Sequence, residues 1–251
     1  MPVDHWPLHA RQWARLGPPL RPTAEDMAVV AGQLRGSRGL LLGVTPEVAA
    51  LPWAGALLAV DRSQPMIREV WPGPAGASVV CADWRWLPLA SGRFDLVVGD
   101  GCASVFAWPG EYRALGAEMR RVLVAGGRLV LRLFTSPEAR EDVRDLAGDL
   151  RAGRVRNFHA FKWRLAMALQ PSTEAGVRLG DIWDAWRSIR PAEEIDGADT
   201  IDAYRGSDVR YSFPTLAQHR AALGQGFSEL ACVTGSYELA ERCPTLILER
   251  R

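Results

Sequence analysis

The sequence is short of lysine, of paired cysteines and of any long uninterrupted apolar run. Lys162 is the sole lysine among 30 Lys and Arg residues. Arginine pairs bidentately where lysine does not, but a skew along the whole chain reads first as base composition. The four cysteines, Cys81, Cys102, Cys232 and Cys243, form no C-x-x-C pair and have no histidine at ligand spacing. This argues against a disulfide framework or a zinc site, and for a reducing, cytoplasmic setting. Charge of one sign is missing too. The net charge of +1 gives no field to hold nucleic acid or an anionic membrane. The start, Met1-Pro2-Val3-Asp4-His5-Trp6, has no basic segment followed by an apolar run, so no signal peptide is read. Residues 39–60 are apolar enough to raise a membrane question, but they contain Pro46, Glu47, Pro52 and three glycines. Two buried strands around a short helix fit them better than a spanning helix.

What is present is ordinary for a folded domain. The 251 residues are 48% hydrophobic and 24% charged, which excludes disorder and suits one α/β domain with an elaboration. Ten tryptophans are more than a core needs, and several stand beside polar or turn residues, where an indole can line a pocket.

Short apolar runs alternate with helical patterns through the first half. Leu40–Leu42, Ala56–Val60, Ser78–Cys81, Phe94–Val98 and Arg128–Phe134 read as buried strands. Thr23 to Asp26 forms a capping box, Ser63 to Val70 is helical and Glu111 to Leu123 is amphipathic. This pattern predicts a parallel sheet covered on both faces. From residue 136 to about 224 no strand is expected. Helices are expected from Ser136-Pro137-Glu138 to about Arg151, from Asn157 to Leu169, from Gly180 to Arg190, and after Thr215 and Gln218. Phe227–Val233 and Cys243–Leu248 then pair as an antiparallel hairpin.

Ligands of open α/β sheets sit at the carboxyl ends of the strands. Four such ends are polar or small here: Gly43-Val44-Thr45, Asp61, Asp83-Trp84 and Gly99-Asp100-Gly101. Asp61 follows Gly43 by 18 positions, close to the spacing at which an acidic side chain meets ribose hydroxyls. Capping the next helix is its other reading, although Ser63 can do that equally well. A dinucleotide asks for G-x-G-x-x-G. Here Pro46 removes an N–H from the helix start, and Glu47 puts negative charge where a pyrophosphate would sit. Neither penalises a ligand that carries a sulfonium and an ammonium.

Four segments then fall in order. Asp61-Arg62-Ser63-Gln64-Pro65-Met66, Cys81-Ala82-Asp83-Trp84-Arg85-Trp86-Leu87-Pro88, Phe94 to Gly101, and Arg121-Val122-Leu123-Val124-Ala125-Gly126-Gly127-Arg128 resemble the second to fifth motifs of the class I S-adenosylmethionine (SAM)-dependent methyltransferases. The resemblance covers residues 38–134 and 227–250. It implies a Rossmann-like, doubly wound, seven-stranded, mostly parallel sheet with a terminal antiparallel strand and a helical lid insert. The implied division is a single domain over 1–251. It has N-terminal cap helices at 1–36, a cofactor core at 37–135, a substrate lid at 136–224 and a hairpin at 225–251. The first motif departs from D-x-G-x-G-x-G, with Leu41, Thr45 and Glu47 in place of the acid and two glycines.

Position by position, the resemblance places Gly43 and Thr45 at the methionine end of SAM, with Glu47 or the Thr45 hydroxyl substituting for the missing acid. Asp61 holds the ribose, and Arg62 and Met66 border the adenine. Asp83 accepts from the adenine amine, Trp84 covers the ring, and backbone at Gly99, Asp100 and Gly101 meets the cofactor amine. Alternation would send Trp84 and Trp86 to one face. The product is S-adenosylhomocysteine (SAH), and no metal is expected. Methyl transfer needs a base only when the nucleophile must lose a proton; His159, in the aromatic run Phe158–Trp163, is the candidate. Tyr112 is a candidate to face substrate, and Trp6, His9 and Trp13 to fold over the cofactor. The aromatic lid suggests a small, partly apolar acceptor, while Arg151, Arg154 and Arg156 offer a grip for an anion. The expected activity is methyl transfer to a small molecule by a monomer or homodimer, without nucleic acid or membrane. A SAM-binding scaffold that does not methylate is the alternative.

Overall fold

Strands that are apolar on both faces need cover on both sides, and helices supply it. The computed structural model describes residues 4–189 and 195–251. Its strands are β1 (Arg38–Leu42), β2 (Ala56–Asp61), β3 (Ala77–Cys81), β4 (Phe94–Asp100), β5 (Leu123–Arg132), β6 (Val177–Arg178), β7 (Arg210–Tyr211), β8 (Phe227–Val233) and β9 (Thr245–Arg250). Seven of them form one sheet in the order β3-β2-β1-β4-β5-β9-β8, while β6 and β7 pair on their own within the stretch expected to lack strands. β1 to β5 run parallel, and β9 is antiparallel to both β5 and β8. This is the expected Rossmann-like sheet. The reversed strand lies between β5 and β8, one place in from the edge.

The helices are α1 (Trp6–Arg11), α2 (Ala24–Ala31), α3 (Pro46–Ala49), α4 (Gln64–Glu69), α5 (Gly110–Val122), α6 (Val143–Arg151), α7 (Phe158–Leu169), α8 (Leu179–Ile189) and α9 (Leu216–Leu223). Alternation along β1 sorts its leucines. Leu40 and Leu42 share a core with Tyr112, Leu115 and Met119 of α5, while Leu41 faces Val48, Ala59 and Val98 on the other side. Each such side chain contributes about 1.5–3 kcal/mol on burial. The capping boxes at Thr23/Asp26 and Thr215/Gln218 form as read. The helix expected from Ser136 starts only at Val143, capped by Asp142. The intervening chain is held instead by long-range partners: Ser136 N–H bonds Pro214 O at 3.1 Å, and Glu141 pairs with Arg164 and Arg242. The expected end of α8 at Arg190 lies outside the described residues, as do residues 1–3.

One buried ion pair joins the parts. Asp100 and Arg132 face each other at the tips of β4 and β5, and their side chains are only 4% and 2% exposed. The Arg132 guanidinium pairs with Asp100, donates to Pro19 O at 2.8 Å and reaches Tyr237 Oη at 3.4 Å. Tyr237 in turn bonds Asp26 of α2, and Asn157 Nδ2 donates to Pro18 O at 2.6 Å. Removing one partner of such a pair leaves a buried charge uncompensated. Asp100→Asn is therefore expected to lower the unfolding free energy by about 3–5 kcal/mol in urea titrations. Asp100→Asn combined with Arg132→Met should recover most of that loss; no recovery would mean the pair is not an electrostatic unit.

Candidate functional site

The carboxyl ends of β1, β2 and β4 open into one cavity. Its floor is Gly43, Val44 and Thr45 after β1, Asp61 at the end of β2, and Asp100, Gly101 and Cys102 after β4. Met66, Trp84 and Phe134 line its sides. Its roof comes from elsewhere in the chain: Trp6, His9 and Trp13 from the N-terminal segment, and Trp163, Tyr204 and Tyr211 from residues 136–224.

Local chemistry explains the floor. Gly43 has φ of +102°, which a side chain would resist, and its N–H bonds Val60 O at 2.8 Å. This sharp turn delivers Thr45, which is buried and whose hydroxyl caps nothing in α3. Asp61 Oδ1 accepts from Ser63 N–H at 2.8 Å, and Ser63 itself caps α4, so the two readings of Asp61 do not compete. Gly101 turns the chain with φ of +60°, and a Cβ there would lie 2.5 Å from the Phe134 ring. Trp84 is buried and donates its indole N–H to Val60 O.

Of the expected site residues, Gly43, Thr45, Asp61, Met66, Trp84, Asp100 and Gly101 line this cavity. Five others do not. Glu47 lies outside the lining; its Oε1 pairs with Arg21, whose Nε is 2.7 Å away, and its buried Oε2 has no hydrogen-bond partner among the described residues. Arg62 is exposed. The Asp83 carboxylate is taken by Arg85, with Nε at 2.9 Å and a second N–H at 2.6 Å. Gly99 is a packing glycine, where a Cβ would strike Cys102 and Leu131. His159 turns away: its Nε2 lies 3.3 Å from Arg15 O, and its ring packs on Gly17 and Gly197. Tyr112 is fully buried and donates to Ser212 O, away from the cavity. Trp84 and Trp86 part company because the segment is not a strand; Trp86 is 68% exposed with the Arg85 guanidinium over its ring. Arg154 pairs with Asp149, and Arg151 and Arg156 are exposed.

Sequence reasoning missed Cys102, Phe134, Tyr204 and Tyr211. Cys102 and Phe134 carried a usable signal, since each closely follows a strand end. Tyr204 and Tyr211 carried none.

Comparison with known proteins agrees with this geometry. Residues 40–131 match the family profile of a methyltransferase domain. No curated protein matches the sequence. Among solved structures, a Rhodobacter sphaeroides protein assigned provisionally to the Zn-dependent alcohol dehydrogenases superposes with a TM-score of 0.68 at 18% identity, covering 99% of this chain and 98% of that one. An amino pentose methyltransferase from Micromonospora echinaspora with SAM bound gives 0.58 at 16% identity, with 97% of each chain covered. An N-methyltransferase from Bradyrhizobium japonicum in complex with SAH gives 0.54 at 14% identity, with 98% of each covered. At these identities the structures share the fold. Among the described residues no group of three His, Cys, Asp or Glu side chains is placed to hold a metal ion, and no helix is long and apolar enough to cross a membrane.

Burial dominates the titration of the site. It pushes Asp61 up to about 6 and the Cys102 thiol up to about 12, so that thiol is neutral. Burial also lowers His5, His159 and His219 to about 4, from an ordinary 6.5. Between pH 6.5 and 4 the unfolded chain therefore binds protons that the folded chain refuses, and stability falls with pH. Asp61 works the other way, since the folded state takes its proton first. Three histidines outweigh one carboxylate, so the melting temperature is expected to drop from pH 6.5 to 4 in calorimetry. His219→Gln, outside the cavity, should make that slope shallower. A flat profile would contradict neutral burial of these rings.

Proposed function

We propose that this chain, whose residues 40–131 match a methyltransferase-domain profile, transfers a methyl group from SAM to a small acceptor of apolar, aromatic character and leaves SAH. One observation carries the reading: a single cavity has the strand ends for its floor and a roof of indole, imidazole and phenol rings. An aromatic roof encloses a flat apolar acceptor and leaves little room for a protein tail or a nucleic acid strand.

The residues present fit the cofactor. Asp61, buried at the end of β2, accepts from the ribose hydroxyls. Met66 and Trp84 flank the adenine. Gly43, the uncapped Thr45 hydroxyl and the Asp100–Gly101 backbone receive the methionine end. Glu47 supports this end indirectly, by holding Arg21 and with it the N-terminal segment. Residues 1–36 then act as a cap, 37–135 as the cofactor core, 136–224 as the lid over the acceptor and 225–251 as the strands that complete the sheet.

SAM supplies a methyl already attached to a good leaving group. The chain's task is mainly to align the acceptor and keep water out. Where the acceptor must release a proton, His9 is the imidazole on the cavity wall, the place first read onto His159. Burial lowers its pKa well below the ordinary value, which keeps it neutral in the free protein but makes it a weak base, suited only to an acceptor that loses its proton readily.

A thermal-shift titration with SAM, SAH and NAD tests the reading. SAM and SAH should raise the melting temperature and NAD should not. Asp61→Asn should weaken SAH binding about tenfold to a hundredfold, the worth of hydrogen bonds to a charged acceptor. In the wild type, SAH affinity should fall as the pH drops below about 6, where Asp61 takes a proton. An Asp61→Asn protein that binds SAH as tightly as wild type would overturn the ribose assignment. SAH binding without SAH release on any acceptor would favour the scaffold reading.

A further inference from the structure

Arginine serves at every basic position but one, and the one lysine is fully buried. Lys162, on α7, has 0% exposure, and among the described residues its Nζ has no hydrogen-bond partner. Three donors on a buried ammonium are expensive to leave unmatched. The Nζ sits behind the cavity roof, 5.1 Å from the centre of the Tyr204 ring and 5.9 Å from that of Trp163, and both rings line the cavity. Two indole N–H groups on cavity-lining residues, Trp13 Nε1 and Trp163 Nε1, are also buried without a partner. Lys162 Nζ and Trp163 Nε1 belong to one region: Trp163 packs edge-to-face on Tyr211, and Tyr211 edge-to-face on Tyr204, whose ring the Lys162 ammonium faces.

We propose that this roof is the acceptor's recognition subsite and that it takes a carboxylate carried on a small aromatic compound. Lys162 supplies the compensating charge, and Trp163 Nε1 donates a hydrogen bond from the cavity wall. The inference deepens the methyltransferase reading and rests on it for the division of the cavity. A cationic cofactor faces an acidic floor, Asp61 and Asp100, and an anionic acceptor faces a roof of neutral rings backed by the one Lys162 ammonium. A monoanion fits better than a phosphate, because no arginine lines the cavity and Lys162 offers a single charge.

Apart from Asp61 on the floor, at about 6, Lys162 is the group that responds near neutrality. Burial lowers Lys162 to about 7. His5 of the N-terminal segment and His159 of α7 lie at about 4, and His9 of α1 is also lowered. Tyr204 and Tyr211 are raised by burial, while Asp4 and Arg62 stand further out, beside His5 and Tyr211. A bound carboxylate favours protonated Lys162, so its affinity should fall as pH rises above about 7.

The test uses the full chain and benzoate, benzamide, benzylamine and phenyl phosphate as probes, each titrated with and without SAH. Benzoate should bind best and should weaken above pH 7. Lys162→Met, which replaces the ammonium with an apolar chain, should fold and lose benzoate affinity about tenfold to a hundredfold with SAH affinity unchanged. Trp163→Phe, which keeps the ring and removes the N–H, should lose about fivefold. Benzamide or phenyl phosphate binding as well as benzoate, no benzoate binding, or a Lys162→Met protein with wild-type benzoate affinity would each overturn the proposal. Loss of the SAH shift in the wild type would instead strike at the cofactor reading.

Discussion

Arg132 sits where three separate stretches of chain must agree. Its Nε pairs with Asp100 from the neighbouring strand, and its Nη1 donates to the Pro19 carbonyl from the N-terminal segment and reaches the Tyr237 hydroxyl from the connection between β8 and β9. A charge that deep in the protein is tolerable only with its partners in place. The cavity depends on the same arrangement. Asp100 is part of its floor, Phe134 lies under the Arg132 guanidinium, and the segment held at Pro19 leads back to Trp13, His9 and Trp6 in the roof. The floor and the roof are thus tied by one interaction, and the roof is not free to drift from the strand ends.

The cavity is polar along one direction. At the strand ends stand two carboxylates, one of them matched by Arg132. In and behind the roof stand imidazoles and a lysine that, among the described residues, has two ring faces beside its charge but no hydrogen-bond partner. Burial keeps the imidazoles neutral near pH 7, while Asp61, at about 6, is ionised there and Lys162, at about 7, is half protonated. Such a site is ready for a ligand pair that brings its own charges, and it excludes water while doing so.

The sheet was legible in the sequence because every central strand buries both faces. That requirement leaves apolar runs bounded by turn residues, and alternation then divides them between two cores, as with Leu40, Leu41 and Leu42. Asp61 was legible because the spacing from Gly43 is set by one β-α-β unit. The helix expected at Ser136 was not, because Glu141 is claimed by Arg164 and Arg242, from distant parts of the chain. The partner of Glu47 was hidden for the same kind of reason: Arg21 comes to it from another segment. His159 and His9 look alike in sequence, and only the packing of α1 against the insert shows which one reaches the cavity.

Local rules act within a few residues, and here they determined the strand and helix order, the capping boxes, the glycine turn at Gly43 and the acidic end of β2. Tertiary structure decided everything that needed two distant residues to meet. It paired Asp100 with Arg132, drew Arg21 onto Glu47, and gathered Trp6, His9, Trp163, Tyr204 and Tyr211 over one floor. Periodicity carries no information about which remote side chain will approach a buried charge. That choice is made by the requirement that each buried polar group find a partner once the chain has closed around it.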